Sequence, residues 1–223
     1  GGRALLFTVR ADYKARYLET VSAYSGRLDT LDVLRDTAWI EGPYFGCGGW
    51  YDGGRRAWFV SEADGWAHLY GIDADGGNRK QLTSGTWEVL DADLSPDKRW
   101  FWIHTSQASP YERQFYRLPV AGGTPERITR AKGGHDVTVS PDGRLMADVF
   151  STSNRPPELF VGPFRPGGAM SQLTTSPTRA WLSFKWLAPP IVQIPASDGV
   201  QVPARIYRPQ DMGAQPNGAA VIF

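Results

Sequence analysis

Three turns of one pattern spaced 45 residues apart, a Leu/Ile-Thr element recurring in the same register, and no helical periodicity predict an all-β fold. Its expected form is a run of β-propeller blades, about four of them in a partial ring. The turns are Asp52-Gly53-Gly54-Arg55, Ser95-Pro96-Asp97-Lys98-Arg99 and Ser140-Pro141-Asp142-Gly143-Arg144. Proline presets φ, and aspartate or glycine tolerates the reversal, so each reads as a tight turn between strands. A β-rich run follows each: Ala57–Val60, Trp100–Ile103 and Leu145–Val149.

The second element is Lys80-Gln81-Leu82-Thr83, then Arg127-Ile128-Thr129, then Ser171-Gln172-Leu173-Thr174, each after a glycine pair. Between the two elements lies a third strand, His68–Ile72, Gln114–Leu118 and Glu158–Val161 in the three copies. A weaker earlier copy has Tyr24-Ser25-Gly26-Arg27 as its turn. Short strands with a period near 45 fit one four-stranded blade per repeat, which places blades at about 1–38, 39–86, 87–132 and 133–178 of a propeller fragment spanning 1–186. Trp58, Trp100 and Trp102 take strand positions, where large aromatics pack between blades.

After Trp186 the period stops. Ile191–Pro195, a polar reversal at Ala196-Ser197-Asp198-Gly199, and Val200–Pro209 read as a hairpin with an Asp-Gly turn. Gln210–Gly218 reads as a surface loop, and the apolar Ala219–Phe223 as the start of a buried strand. The chain opens Gly1-Gly2-Arg3 and closes in this apolar run, so both ends are expected to cut through structure.

Composition narrows the function classes. The 24 basic residues nearly balance 23 acidic ones without like-charge runs, which disfavours nucleic acid as a partner. No stretch approaches the ~18 apolar residues of a membrane span. Cys47 is the only cysteine and reads as a small buried residue, without an intrachain disulfide or a cysteine-rich metal site. His68, His104 and His135 share no metal-ligand spacing and read as structural; no cofactor or metal is expected.

Two segments carry a specific resemblance. Ser61-Glu62-Ala63-Asp64-Gly65-Trp66-Ala67-His68-Leu69-Tyr70, with Gln81–Val89 after it, resembles propeller text of the prolyl oligopeptidase family of serine peptidases, in its dipeptidyl peptidase IV branch. Pro195–Gly199 through Ala204–Pro209 resembles the opening of that family's α/β-hydrolase domain, which assigns 187–223 to the first strands of such a domain. The resemblance implies a parent enzyme in which a propeller gates a Ser, Asp, His triad and short peptides, proline-containing ones among the candidates, are cut rather than folded proteins. It also favours an extracytoplasmic location and allows a homodimer of the parent.

None of the triad can be placed in this chain. No Gly-x-Ser-x-Gly nucleophile elbow occurs, so the catalytic residues are expected beyond Phe223 and the chain alone is expected to be inactive. The branch's paired-glutamate motif is also missing; Glu62 and Asp64 read as turn-forming surface acids. That leaves dipeptidyl, tripeptidyl and acylaminoacyl specificity open. Tyr44 and Phe45 lie where the family places an aromatic facing the pocket and are the substrate-pocket candidates, though the family's arginine is absent there. The alternative is a non-catalytic propeller that binds proteins or peptides.

Overall fold

A computed structural model of the chain describes residues 2–40, 42 and 47–222. Four antiparallel sheets follow one another along the sequence. The first holds β1 (Arg3–Val9), β2 (Ala15–Ser22) and β3 (Leu28–Arg35). The second is a meander of β4 (Gly48–Tyr51), β5 (Arg56–Ser61), β6 (His68–Asp73) and β7 (Lys80–Gln81). The third repeats it with β8 (Val89–Leu94), β9 (Trp100–Thr105), β10 (Gln114–Pro119) and β11 (Glu126–Arg127). The fourth does so with β12 (Gly134–Val139), β13 (Leu145–Thr152), β14 (Arg155–Pro163) and β15 (Ser171–Gln172).

These sheets are propeller blades because both faces of each inner blade are buried by its neighbours. Successive side chains of a strand point to opposite faces. On β5, Ala57 and Phe59 therefore join Leu18 and Leu31 of the first blade, whereas Trp58 and Val60 join Phe101 and Ile103 of the third. On β10 the alternation sends Tyr116 and Leu118 back to the second blade and Phe115 forward to Val137, Val139 and Met146 of the fourth. A one-residue slip would exchange every one of these contacts, so the packing fixes strand register. Phe101, fully buried, meets Tyr51 and Trp58 edge-to-face at 5.8 and 5.7 Å.

The repeated motifs each do one structural job. In the third and fourth blades the Asp turn joins first and second strands: Asp97 Oδ1 accepts from Ser95 Oγ and the Arg99 amide, and Asp142 Oδ1 from Ser140 Oγ and the Arg144 amide. The threonine of the second motif latches the outer strand. Thr129 Oγ1 accepts the Phe115 N–H at 2.9 Å and donates to Gln114 at 2.7 Å; Thr174 does the same with Leu159 and Glu158. Thr83 accepts the Leu69 N–H and bonds His68 Nδ1, both at 3.0 Å, while His68 Nε2–H donates to the Gly85 carbonyl.

Two expectations need correction. The turn at Tyr24–Arg27 joins β2 to β3, so it is not the first blade's copy of the Asp turn. That copy is Arg10–Lys14, where Asp12 Oδ1 accepts the Lys14 amide and Tyr13 has φ 57°, matching Lys98 at 57° and Gly143 at 68°. Residues 219–222 form no strand and are exposed, since no sheet of the described residues offers them a partner.

Residues 153–156 and 176–223 form a second compact unit. It holds the single α-helix of the described residues, α1 (Arg179–Ser183), capped by Thr178 Oγ1 on the Trp181 amide. Its hairpin pairs β16 (Ile191–Pro195) with β17 (Gln201–Arg205) around Ser197-Asp198-Gly199, where Asp198 Oδ1 accepts the Val200 amide at 3.0 Å.

Candidate substrate-gating site

The two pocket candidates, Tyr44 and Phe45, lie outside the described residues. The residues before and after them in sequence are held by hydrogen bonds to neighbouring strands and turns. On one side Ile40 is buried and its amide donates to the Tyr13 carbonyl at 2.6 Å. On the other, Cys47 donates its thiol hydrogen to the Ala92 carbonyl at 3.3 Å. Burial, seconded by the charge of Asp91, pushes the Cys47 thiol up to about 12, so it stays protonated and inert as a nucleophile.

Between the first two blades sits a buried guanidinium. Arg16, 4% exposed, donates Nη1 to the Val60 carbonyl at 2.6 Å and stands 3.8 Å from Asp32. Asp32 is shared with Arg79, whose Nε lies 2.8 Å from it and whose guanidinium stacks 4.2 Å over Tyr70. Desolvation pulls the Arg16 pKa down, opposed by Asp32 and Glu62. Burial, then the neighbouring charge of Glu88, pushes the Glu62 carboxyl up. Asp64 has the role expected for a turn acid, accepting from Gln81 Nε2 at 2.6 Å and the Trp66 amide at 3.1 Å. Burial works against its charged form, yet these bonds hold it below the usual carboxylate range.

The three histidines are buried and occupied. His104 Nε2 accepts the Val137 N–H at 3.1 Å, so its hydrogen is on Nδ1, 3.5 Å from Asp91. Arg113 Nη2 donates to the same Asp91 oxygen at 3.3 Å. Both ring nitrogens of His135 face oxygens, Asp148 Oδ2 at 2.7 Å and the Ala131 carbonyl at 2.9 Å. With both nitrogens engaged by protein oxygens, His135 has no free ring nitrogen to face a substrate. Among the described residues no group of three or more His, Cys, Asp or Glu could hold a metal.

Burial lowers the His104 pKa from the ordinary 6.5, opposed by the bond to Asp91. The unfolded chain therefore takes up this proton at a higher pH than the folded one, so stability must fall as pH drops through 6.5. Urea melts at pH 7.5 and 5.5 should show a lower midpoint at the acid value. His104→Gln, which keeps an acceptor for the Val137 amide but cannot titrate, should show a smaller decrease; an equal decrease would remove His104 as its source.

Residues 14–157 match the family model described as the dipeptidyl peptidase IV (DPP IV) N-terminal region. A relative in Agrobacterium fabrum, the uncharacterized protein Atu1656, is 32% identical over 109 residues, covering 46% of this chain and 36% of its own length. The crystal structure of Porphyromonas gingivalis dipeptidyl peptidase 4 superposes with a TM-score of 0.75 at 18% identity, over 94% of this chain and 30% of that one. At that identity the likeness is one of fold. The chain spans about a third of the length of either protein.

Proposed function

The chain belongs to the dipeptidyl peptidase IV N-terminal region family, and from that premise we propose that it is the substrate-gating propeller of a serine peptidase that cleaves short peptides, with proline-containing ones as the first candidates. The observation that carries this reading is the family match over residues 14–157, with a Ser-Asp-Gly hairpin following the last blade in sequence. In this reading residues from about 187 open the α/β-hydrolase domain, whose triad lies in sequence after Phe223. There the serine attacks the scissile carbonyl, a histidine takes its proton, an aspartate orients that histidine, and fixed donors hold the oxyanion. The propeller contributes by excluding folded chains, and Tyr44 and Phe45 line its peptide pocket.

The test extends the chain with the coding sequence that follows Phe223. The longer protein should hydrolyse proline-containing aminoacyl-nitroanilides and be labelled by a fluorophosphonate, whereas residues 1–223 alone should do neither. Tyr44→Ala in the longer protein should raise KM and leave labelling intact. A folded extension that does not label, and lacks a Gly-x-Ser-x-Gly elbow within roughly 100 residues, would leave the non-catalytic binding propeller as the better reading.

A further inference from the structure

Each seam between successive blades is crossed by a buried or half-buried side chain that bonds the next blade's backbone, and the chemistry differs from seam to seam. Arg16 of the first blade donates to the Val60 carbonyl of the second. Cys47 of the second donates to the Ala92 carbonyl of the third. His104, on β9 of the third blade, instead accepts. Its Nε2 takes the Val137 N–H at 3.1 Å from β12, the edge strand of the fourth blade's sheet. The residue is 4% exposed, and its ring lies 4.8 Å from that of Phe115, in the cluster that Val137, Val139 and Met146 complete.

An acceptor nitrogen is the kind of stitch a proton can cut. Once Nε2 carries a hydrogen it no longer accepts, and the Val137 N–H is left buried against a second N–H. The Arg16 guanidinium keeps its protons, and the Cys47 thiol, pushed up to about 12, gains none on acidification. The other two histidines differ, because their ring nitrogens face oxygens: Thr83 and Gly85 for His68, Asp148 and Ala131 for His135. An added proton there finds an acceptor. The charged groups facing His104 are Asp91 and Asp93 of β8, Arg113 ahead of β10 and Asp136 of β12. Burial opposes the imidazolium, Asp91 favours it through their bond, and Arg113 adds to the opposition; the balance leaves the pKa below 6.5, so the accepting form is the one present at pH 7.5. Nearer the start of β12 the same seam is held by bonds that no proton breaks. The Arg113 amide donates to the Gly133 carbonyl at 3.3 Å, the His135 amide to the Arg113 carbonyl at 2.9 Å, and Arg113 Nε to the His135 carbonyl at 3.2 Å.

We propose that acid opens the seam between the third and fourth blades at Val137, through protonation of His104, while the other two seams stay closed. This switch is independent of the peptidase reading. NMR-detected amide exchange in the 223-residue chain, corrected for its intrinsic pH dependence, follows each seam as the pH is lowered from 7.5. Protection of the Val137 amide should fall about tenfold or more, with a midpoint that matches the titration of the His104 ring signals. The amides of His135, Val60 and Ala92 should keep theirs. His104→Gln, which offers Val137 an oxygen that does not titrate, should hold this amide protected throughout. Simultaneous loss at all three seams, a midpoint that departs from that of the ring, protection that persists once the ring is protonated, or global unfolding before the ring titrates would each overturn the proposal. So would a folded His104→Gln chain that opens at Val137 with the same midpoint. Ring titration and exchange are compared in the unsubstituted chain, so that comparison stands even if the variant misfolds.

Discussion

Phe101→Ala is expected to destabilise the propeller by about 3–5 kcal/mol, as for other large-to-small changes at a sealed aromatic. Phe101 is fully buried, with Tyr51 and Trp58 of the preceding blade set edge-to-face on its ring. Truncation leaves a cavity bounded by two strand frameworks that cannot close without moving β5 or β9. It also removes two aromatic contacts, worth about 0.5–1.5 kcal/mol each beyond area. Phe101→Leu should recover much of the loss. Chemical denaturation followed by tryptophan fluorescence measures both variants, and a cost for alanine below about 1 kcal/mol would mean that the second and third blades are not locked through this ring.

The second large effect is at the fourth blade. His135→Ala should cost about 3–5 kcal/mol, because removing one member of a buried, hydrogen-bonded pair leaves the other without its partner. Here that partner is Asp148, 3% exposed, whose Oδ1 finds no hydrogen bond within the described protein. His135 also stacks on Phe150 with ring centroids 4.6 Å apart, so alanine loses packing as well. Replacing both members by apolar residues of similar size, His135→Leu with Asp148→Val, should be much less costly than the single change. That ordering separates a charge effect from a volume effect. If the double variant is as unstable as His135→Ala, the pair's role is packing alone.

The difference between what could and could not be read from the sequence follows from how each feature is encoded. The turns at Asp97 and Asp142 were legible because aspartate and proline or glycine are the residues such a turn needs. Their counterpart at Arg10–Lys14 was not, because Ala11 stands before Asp12 where the other two turns have Pro96 and Pro141. The threonine latches showed up as recurring text, but their partners differ in kind, His68, Gln114 and Glu158, so self-similarity could not find them. Arg16, Asp32 and Arg79 meet only after two blades pack, and nothing local in the chain announces the cluster. For the proposed pocket residues Tyr44 and Phe45, position came only through resemblance, while the inert Cys47 thiol and the perturbed Glu62 needed three dimensions.

The outermost strands β7, β11 and β15 are two residues long, and their brevity bears on association between molecules. An unpaired strand edge is a template for a foreign strand, and very short edge strands are one way proteins remove it. An approaching chain would find too little ladder on these three blades to hold a register. The eight-residue β3 is the exception, yet its pairing with β2 is interrupted at Leu31, and it carries Asp29, Asp32 and Arg35. A bulge and charges along an edge discourage the same association by other means. The blades are thus protected against strand-to-strand aggregation individually, each by its own outer edge.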